Sequence, residues 1–449
     1  MACCSLIRVF LLLFTLSDSL VKICSLGVGI NYGQIADNLP SPPRVATLLG
    51  SLNITRVKLY DADPNVLLAF SNTNVDFIVG LGNENLQNMA DPVKAQNWIE
   101  QKVVPHLPRI NSILVGNEVF ISNDTQLRAS LLPAMQAVYR ALADLGLEKQ
   151  VTVTTAHSLN ILALSFPPSA GVFKEDLAQY IRPLINFHAE IKSPFLINAY
   201  PYFAYKGNPI EVPLEYVLFQ QNQGTTDANT NLHYDNMLYA QIDAVYAAIK
   251  AMGHTDIEVR VSETGWPSKG DADELGATPE NAGIYNGNLL QRIAEKQGTP
   301  AKPSTPIDIH VFALFNENLK PGPASERNYG LYYPDGSPVY NIGLQGSLSG
   351  GPGGSPTSPA STPTKNVSVV SGSNKHPFAK MMHLMPSSVL YFAGFVCLLL
   401  SAFMFTFIKC PFIAFIACHP VRIEIGDSGD PSSPSATCTD ACKSLSEED

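Results

Sequence analysis

Between residues 26 and 346, eight short apolar runs rich in β-branched and aromatic residues alternate with amphipathic segments. The runs occupy residues 27–33, 56–61, 76–83, 112–119, 150–158, 195–203, 258–265 and 307–317. Near-continuous apolar runs of this length are typical of parallel strands that are buried on both faces of a sheet. Eight such strands alternating with helices predict an α/β fold, the closed (β/α)8 barrel or TIM barrel.

The segments between the runs support this interpretation. Helical periodicity is visible at residues 44–52, 64–72, 93–104, 127–146 and 236–253. Residues 327–341, after the eighth run, are instead rich in turn-forming residues, so the eighth helix is expected to be short or missing. Hydrophobic residues make up 45% of the chain, enough apolar surface for a large core, which excludes wholesale disorder.

Composition also excludes several classes of function. A net charge of −10 argues against a nucleic-acid-binding protein, which needs a basic face. All the cysteines lie outside residues 25–396, so this region has neither a thiolate ligand nor a cysteine nucleophile. The histidines show no metal-binding spacing, and no glycine-rich nucleotide motif is present. We therefore expect no metal and no cofactor, and chemistry carried by oxygen and nitrogen groups.

Both ends of the chain carry features of a secreted protein. Arg8 followed by a short apolar run predicts a secretory signal peptide, which makes the sequons at Asn53, Asn123 and Asn366 credible glycosylation sites. The predicted organisation is a signal peptide at 1–25, a barrel domain at 26–346, a Ser/Gly/Pro-rich disordered stalk at 347–373, a hydrophobic anchor signal or transmembrane region at 374–418, and a polar acidic tail at 419–449.

The hydrophobic segment near the C-terminus has two interpretations. Ser371 and Ser373 are small residues that precede a polar spacer and the apolar run 389–408, an order that fits a glycolipid anchor signal. Such a signal normally ends with its apolar run, whereas here a polar tail follows. The same arrangement equally fits a single-pass transmembrane protein with a cytosolic tail. An atypical gene model is a third explanation. We favour the glycolipid anchor.

Two glutamates stand at the ends of predicted strands. Glu118 ends the fourth run and Glu263 ends the seventh. Active sites of barrels lie at the C-terminal ends of the strands, so both are expected at one mouth. Paired carboxylates suit glycosidic bond cleavage, in which one group protonates the leaving oxygen and the other supports charge at the anomeric carbon. Either glutamate alone also fits a structural ion pair, but the two together favour catalysis.

Several longer motifs surround these glutamates. They are INYGQIADNLPSP, ILVGNE, IEVRVSETGWPSKG, FALFNENLKPGP and NYGLYYPDGSPVYNI. With them, residues 26–344 resemble the plant β-1,3-glucan endohydrolases of glycoside hydrolase family 17. The resemblance implies that Glu263 is the nucleophile, that Glu118 is the general acid/base, and that Glu317 and Lys320 support them. It also implies retention of anomeric configuration, with the catalytic carboxyls about 5 to 5.5 Å apart.

Other side chains are candidates for positioning the reacting groups and the substrate. Lys320 is a candidate for the cation that keeps Glu263 ionised, the alternative being a solvated surface lysine. Asn117 is a candidate donor to the 2-hydroxyl of the sugar. The aromatic residues expected at the mouth, as sugar platforms or alternatively as packing residues, are Tyr32, Tyr60, Tyr200, Tyr202, Phe203, Trp266 and Phe315.

The sequence therefore predicts a retaining endo-hydrolase of β-1,3-glucan, such as callose or fungal-wall glucan. A transglycosylase using the same site and a non-catalytic glucan-binding wall protein are the alternatives. We expect a monomer that is secreted to the cell surface, at the outer face of the plasma membrane or in the wall. Its expected partners are the glucan and, through the C-terminus, the plasma membrane, and no nucleic acid.

Overall fold

The computed structural model describes residues 28–342. The strands are β1 Gly29–Asn31, β2 Arg56–Lys58, β3 Asp76–Leu81, β4 Ile110–Asn117, β5 Thr152–Ser158, β6 Leu162–Leu164, β7 Val172–Phe173, β8 Phe195–Asn198, β9 Thr225–Thr226, β10 His233–Tyr234, β11 Val259–Thr264 and β12 Ile309–Val311. Eight of them form a closed parallel barrel in the order β1-β2-β3-β4-β5-β8-β11-β12, and β12 pairs with β1. The predicted barrel is confirmed, and each predicted run overlaps one barrel strand.

Helices connect successive barrel strands. They span Pro42–Ser51, Pro64–Ala69, Leu86–Met89, Pro92–Lys102, Thr125–Asp144, Ala178–Ile191, Pro201–Gly207, Leu214–Val217, Met237–Ala251 and Pro279–Glu295. Several begin with a proline in the first turn, and the side chains of Asp63, Asp91 and Asp124 cap three of them by accepting backbone N–H bonds. Ala178–Ile191 and Pro279–Glu295 lie outside the segments named from periodicity.

The buried apolar residues form three clusters. Leu114, Ala156 and Leu196 form a small cluster on the barrel strands, a much larger cluster joins strands and helices, and Phe312, Ala313 and Tyr329 form a third cluster. After β12 the described chain makes one 3-10 turn, Ala324–Arg327, and no α-helix up to residue 342, in agreement with the expected short or missing eighth helix. Two small antiparallel hairpins, β6-β7 and β9-β10, were not predicted.

Several predictions concern residues outside the described range. These are the signal peptide, the stalk, the hydrophobic segment, the acidic tail, and Asn366, Ser371 and Ser373. Within residues 28–342, no helix combines the length and the apolar character that crossing a membrane requires. Asn53 and Asn123 are both exposed, as a glycosylation site must be.

Candidate active site

A cavity of about 820 Å³ opens at the C-terminal ends of the barrel strands. Its walls are formed by Tyr60, Asn117, Glu118, Ser158, Leu159, Asn160, Leu162, Ser165, Asn198, Tyr200, Phe203, Ala204, Gln241, Glu263, Phe312, Lys320, Glu326 and Tyr329. Polar and aromatic side chains thus converge on one space. The hairpin β6-β7 contributes Leu162, and the 3-10 turn after β12 contributes Glu326.

Glu118 lies at the end of β4, where the backbone turns sharply. Gly116 and Glu118 both adopt left-handed conformations, with φ of 68° and 53°. A left-handed glutamate is unfavourable and persists only where the surroundings fix it, which is common at functional sites. Here Asn83 fixes Asn117 from both sides, since its side chain accepts the Asn117 N–H at 2.8 Å and donates to the Asn117 carbonyl at 2.8 Å.

Glu263 lies in β11 and is almost fully buried, with 6% of its surface exposed. Three donors hold its carboxylate. Oε1 accepts from Lys58 Nζ at 2.6 Å and from the Tyr60 hydroxyl at 2.7 Å, and Oε2 accepts from the Tyr200 hydroxyl at 2.9 Å. This arrangement satisfies a buried charge with one cation and two neutral donors.

The two glutamates occupy opposite electrostatic settings. Burial, followed by the charge of Glu263, raises the pKa of Glu118 to about 7. Burial would also raise the pKa of Glu263, but the charge and the hydrogen bond of Lys58, the hydrogen bond of Tyr60 and the charge of Lys320 together lower it. At neutral pH the site therefore holds one ionised carboxylate beside one carboxyl poised to exchange a proton.

The cation that contacts Glu263 is Lys58, which the sequence analysis did not single out. Lys320, the expected partner, pairs with Glu326 at 3.3 Å and lies 4.2 Å from the centroid of the Phe312 ring. It lines the cavity, and its charge also lowers the pKa of Glu263, although less than Lys58 and the Tyr60 hydrogen bond do. Lys320 therefore acts on Glu263 through its charge, whereas Lys58 in β2 makes the direct contact.

Glu317 is buried against the loop that follows β1. Its Oε1 accepts the backbone N–H of Ile35 at 2.8 Å, and burial raises its pKa. A Cβ at Gly33 would come within 2.4 Å of its carboxylate oxygens, which explains the glycine in the INYG motif. Glu317 is not among the cavity-lining residues, so its contacts here are with the protein itself.

The candidate aromatic residues divide into two groups. Tyr60, Tyr200 and Phe203 line the cavity, the two tyrosines with their hydroxyl groups on Glu263. The other four fit the packing alternative, because all are at least 98% buried and none lines the cavity: Tyr32, Tyr202, Trp266 and Phe315. Trp266, for example, packs on Tyr202 and donates to the Gly276 carbonyl at 2.8 Å.

No group of histidine, cysteine, aspartate and glutamate side chains within residues 28–342 is arranged to hold a metal ion. His157, at the end of β5, is buried and stacks between Phe120 and Phe195. Burial lowers its pKa to about 3, so it is a neutral packing residue.

A (β/α)8 barrel with an ionised and a protonatable carboxyl group at its mouth defines the class of glycoside hydrolases. Residues 28–344 match the family model of the glycosyl hydrolases family 17, and the chain belongs to this family. The resemblance seen in the sequence motifs is thereby confirmed.

Named relatives agree with this assignment. Glucan endo-1,3-beta-glucosidase 14 of Arabidopsis thaliana is 70% identical over 345 residues, covering 76% of this chain and 87% of the relative. Among solved structures, CJP38, a beta-1,3-glucanase and allergen of Cryptomeria japonica pollen, is 36% identical with a TM-score of 0.68 and covers 71% of this chain and 98% of its own. One of two plant beta-glucan endohydrolases with distinct substrate specificities has a TM-score of 0.65 at 35% identity, over 70% of this chain and 99% of its own.

Proposed function

We propose that the protein hydrolyses (1→3)-β-D-glucosidic linkages within β-1,3-glucan chains, with retention of configuration. Glu263 acts as the nucleophile and Glu118 as the general acid/base. The observation that carries the proposal is the opposite setting of the two carboxyl groups. Glu263 is held ionised by Lys58, Tyr60 and Tyr200, whereas Glu118 keeps a pKa of about 7.

In the first step, the Glu263 carboxylate attacks the anomeric carbon, and the bond from that carbon to the glycosidic oxygen breaks. The proton of Glu118 passes to the departing oxygen, so the leaving chain departs as a neutral alcohol. The product is a covalent glycosyl ester on Glu263. Asn117 lines the cavity beside Glu118, and its proposed role is to donate to the 2-hydroxyl of the bound sugar.

In the second step, Glu118 is a carboxylate and accepts a proton from water. The oxygen of that water attacks the anomeric carbon, and the ester bond to Glu263 breaks, which restores both groups. The ester carries no charge, so the repulsion that raises the pKa of Glu118 disappears in the intermediate. Glu118 is therefore protonated and able to donate before the intermediate forms, and it is ionised and able to accept a proton afterwards.

The substrate is assigned from the relatives. The Arabidopsis relative is called a glucan endo-1,3-beta-glucosidase and the Cryptomeria protein a beta-1,3-glucanase. A chain 70% identical to the first, with both glutamates present in their motifs, supports the same linkage and endo cleavage here.

The nucleophile assignment is tested by Glu263→Gln in the full-length protein. Hydrolysis of a soluble β-1,3-glucan should fall below detection while the circular dichroism spectrum is unchanged. Glu258→Gln, one residue before the start of the same strand, is the matched control and should keep wild-type activity. Substantial hydrolysis by Glu263→Gln would remove the nucleophile assignment.

Retention is tested by following the anomeric proton signals of the first products by NMR. A β reducing end should appear first, with the α form arising later by mutarotation. An initially α product would exclude double displacement.

Transfer to a second glucan shares the first step with hydrolysis, so it is the alternative at this site. Incubation of a short β-1,3-oligosaccharide followed by chromatography separates the two outcomes. Shorter products alone support hydrolysis, whereas products longer than the substrate indicate transglycosylation.

We further propose that the enzyme acts as a monomer at the outer face of the plasma membrane, held by a glycolipid joined near Ser371 or Ser373. The support is the order of small residues, spacer and apolar run in the sequence. Phosphatidylinositol-specific phospholipase C should release the enzyme from intact membranes. Retention, with an antibody to the last residues still binding, would instead indicate a transmembrane span.

A further inference from the structure

A continuous chain of hydrogen bonds joins the two glutamates through the interior of the barrel. Lys58 Nζ, which contacts Glu263, also donates to Ser262 Oγ at 3.0 Å. Ser262 Oγ donates to Asn198 Oδ1 at 2.7 Å, and Asn198 Nδ2 donates to Glu118 Oε1 at 2.8 Å. Ser262 and Asn198 are 1% and 3% exposed, so both are largely buried, although Asn198 also lines the cavity.

The chain has a fixed direction. Lysine has protons to donate and no acceptor, so the hydroxyl oxygen of Ser262 accepts from Lys58 and its own proton is left for Asn198. With its carbonyl oxygen engaged by Ser262, the Asn198 amide presents its NH2 group to Glu118. The serine hydroxyl, together with Asn117 Oδ1, which accepts from Asn198 Nδ2 at 3.3 Å, orients the NH2 group of the amide toward the acid/base.

The backbone of β11 makes this arrangement possible. Successive residues of a regular strand point to opposite faces of the sheet. The pairing of β11 with β8 shifts between Val261 and Glu263, so β11 carries an extra residue there. At this irregularity, Ser262 and Glu263 both reach the Nζ of Lys58.

We propose that Ser262 is a positioning residue that couples the acid/base Glu118 to the charge state of Glu263, through Lys58 on one side and Asn198 on the other. The inference rests on the proposed roles of the two glutamates. It assigns to Ser262 a part in the reaction although its hydroxyl bonds to Lys58 and Asn198 and Ser262 does not line the active-site cavity.

The coupling follows from what Lys58 contacts. While Glu263 is ionised, Lys58 shares its charge between that carboxylate and Ser262. In the glycosyl-enzyme the carboxylate is esterified, so the donation of Lys58 to Ser262 strengthens. Hydrogen bonds in a chain polarise one another, so Asn198 then donates more strongly to Glu118. The ionised form of Glu118 is stabilised at the stage where it must act as a base.

The charges around Glu118 come from three elements. Glu263 in β11 and Glu326 in the 3-10 turn raise its pKa, whereas Lys58 in β2 and the hydrogen bond from Asn198 lower it. Ser262 carries no charge, so its removal leaves these charges in place. A change in the pKa of Glu118 then reports the loss of the hydrogen bond from Asn198 to Glu118.

The test uses the full-length protein labelled with [5-¹³C]glutamate and titrated by carboxyl NMR, with the Glu118 signal assigned by its absence from Glu118→Gln. The side chains introduced by Ser262→Val and Ser262→Thr have the same shape, and only threonine keeps a hydroxyl group. Ser262→Ala is a third variant, used if neither of the larger side chains allows folding. The pKa of Glu118 should rise by about 0.5 to 1 unit in Ser262→Val and Ser262→Ala, and by less than about 0.2 in Ser262→Thr.

Thr154→Val is the matched control. Thr154 is buried in β5, the strand between β4 and β8. Its hydroxyl donates to the Pro194 carbonyl at 2.8 Å and takes no part in the chain of bonds from Lys58 to Glu118. The pKa of Glu118 should be unchanged in this variant. The basic limb of the pH profile of kcat/KM should move upward together with the NMR value in the Val and Ala variants.

An unchanged pKa of Glu118 in folded Ser262→Val or Ser262→Ala would overturn the proposal, as would an equal rise in Ser262→Thr. Failure of the proposed function would look different, because Glu118→Gln would then hydrolyse soluble β-1,3-glucan at the wild-type rate. The NMR titration does not depend on activity, so the two results are read separately.

Discussion

The Nζ atom of Lys58 lies 2.6 Å from Oε1 of Glu263, and both side chains are buried. An ionised carboxylate in such a setting is strongly disfavoured unless a cation and hydrogen-bond donors compensate it. The pair therefore explains how a buried glutamate keeps the charge that a nucleophile needs. It also explains why Lys58 is fully buried, since lysine is rarely buried without a partner.

Replacement of Lys58 by methionine should impair catalysis more than replacement of Lys320. Without the cation, burial raises the pKa of Glu263, so the acidic limb of the kcat/KM profile should move upward and kcat/KM should fall at least about 100-fold. The side chain of Lys320 pairs with Glu326 instead, so Lys320→Met should lower kcat/KM less than tenfold. The measurement is the pH profile on a soluble β-1,3-glucan. Equal effects of the two variants would contradict the assigned partner.

Activity should decline as the pH rises through about 7, because the first step requires protonated Glu118. The basic limb of kcat/KM reports this group in the free enzyme. In a profile measured from pH 4 to pH 9, a basic limb above pH 8.5 would exclude Glu118 as the acid.

Glu118→Gln should be more stable than the wild type at pH 8 and should lose this advantage at pH 4. The folded pKa of about 7 exceeds the ordinary value of 4.5, so stability from this group is complete below pH 4.5 and is lost as the pH rises through 7. The expected difference between the two pH values is about 2–3 kcal/mol. Urea unfolding at both pH values measures it, and a pH-independent difference would contradict the raised pKa.

Glu274 should contribute to stability in the opposite pH direction. It is buried, pairs with Lys206 at 2.9 Å and accepts from the backbone N–H of Ser325, and despite burial these bonds lower its pKa to about 2. Its contribution is present above pH 4.5 and is lost as the pH falls toward 2. Glu274→Gln should lower the free energy of unfolding at pH 7 by about 1–3 kcal/mol, as measured by urea unfolding. Glu175 is exposed, so Glu175→Gln should leave that free energy almost unchanged. No loss at pH 7 would contradict this role.

Gly33→Ala and Gly50→Ala should have opposite effects. A Cβ at Gly33 meets the Glu317 carboxylate at 2.4 Å, so Glu317 must move, at a cost of about 1–3 kcal/mol and with reduced activity. A Cβ at Gly50, inside a helix, meets nothing within 4 Å, and alanine there should stabilise the fold by about 0.5–1 kcal/mol. Thermal unfolding and the hydrolysis rate compare them. Unchanged stability and an unchanged hydrolysis rate in Gly33→Ala would show that the Glu317 carboxylate is freely displaced.

The sequence determined the barrel and the two glutamates. Burial of every barrel strand between core and helices produces the apolar runs, and their number and alternation with helices predict the closed sheet. The position of Glu118 and Glu263 at the ends of runs placed both at one mouth. The number of strands and the residues at their ends can be read from the sequence, because each strand has its own local pattern. The two glutamates could be placed together because the active site of a barrel lies at one end of its strands.

The contacts of those glutamates were decided by tertiary structure alone. Lys58 reads as one polar residue in a strand, and only closure of the barrel brings it to Glu263, 205 residues away. Likewise Trp266 and Tyr32 follow strands at the mouth, yet packing of the loops buries both. Side chains on different strands meet according to barrel register and the shift in β11, and no periodicity along one segment encodes such distances. The charge on Glu263, the proton on Glu118 and the bonds between them are therefore products of the folded barrel.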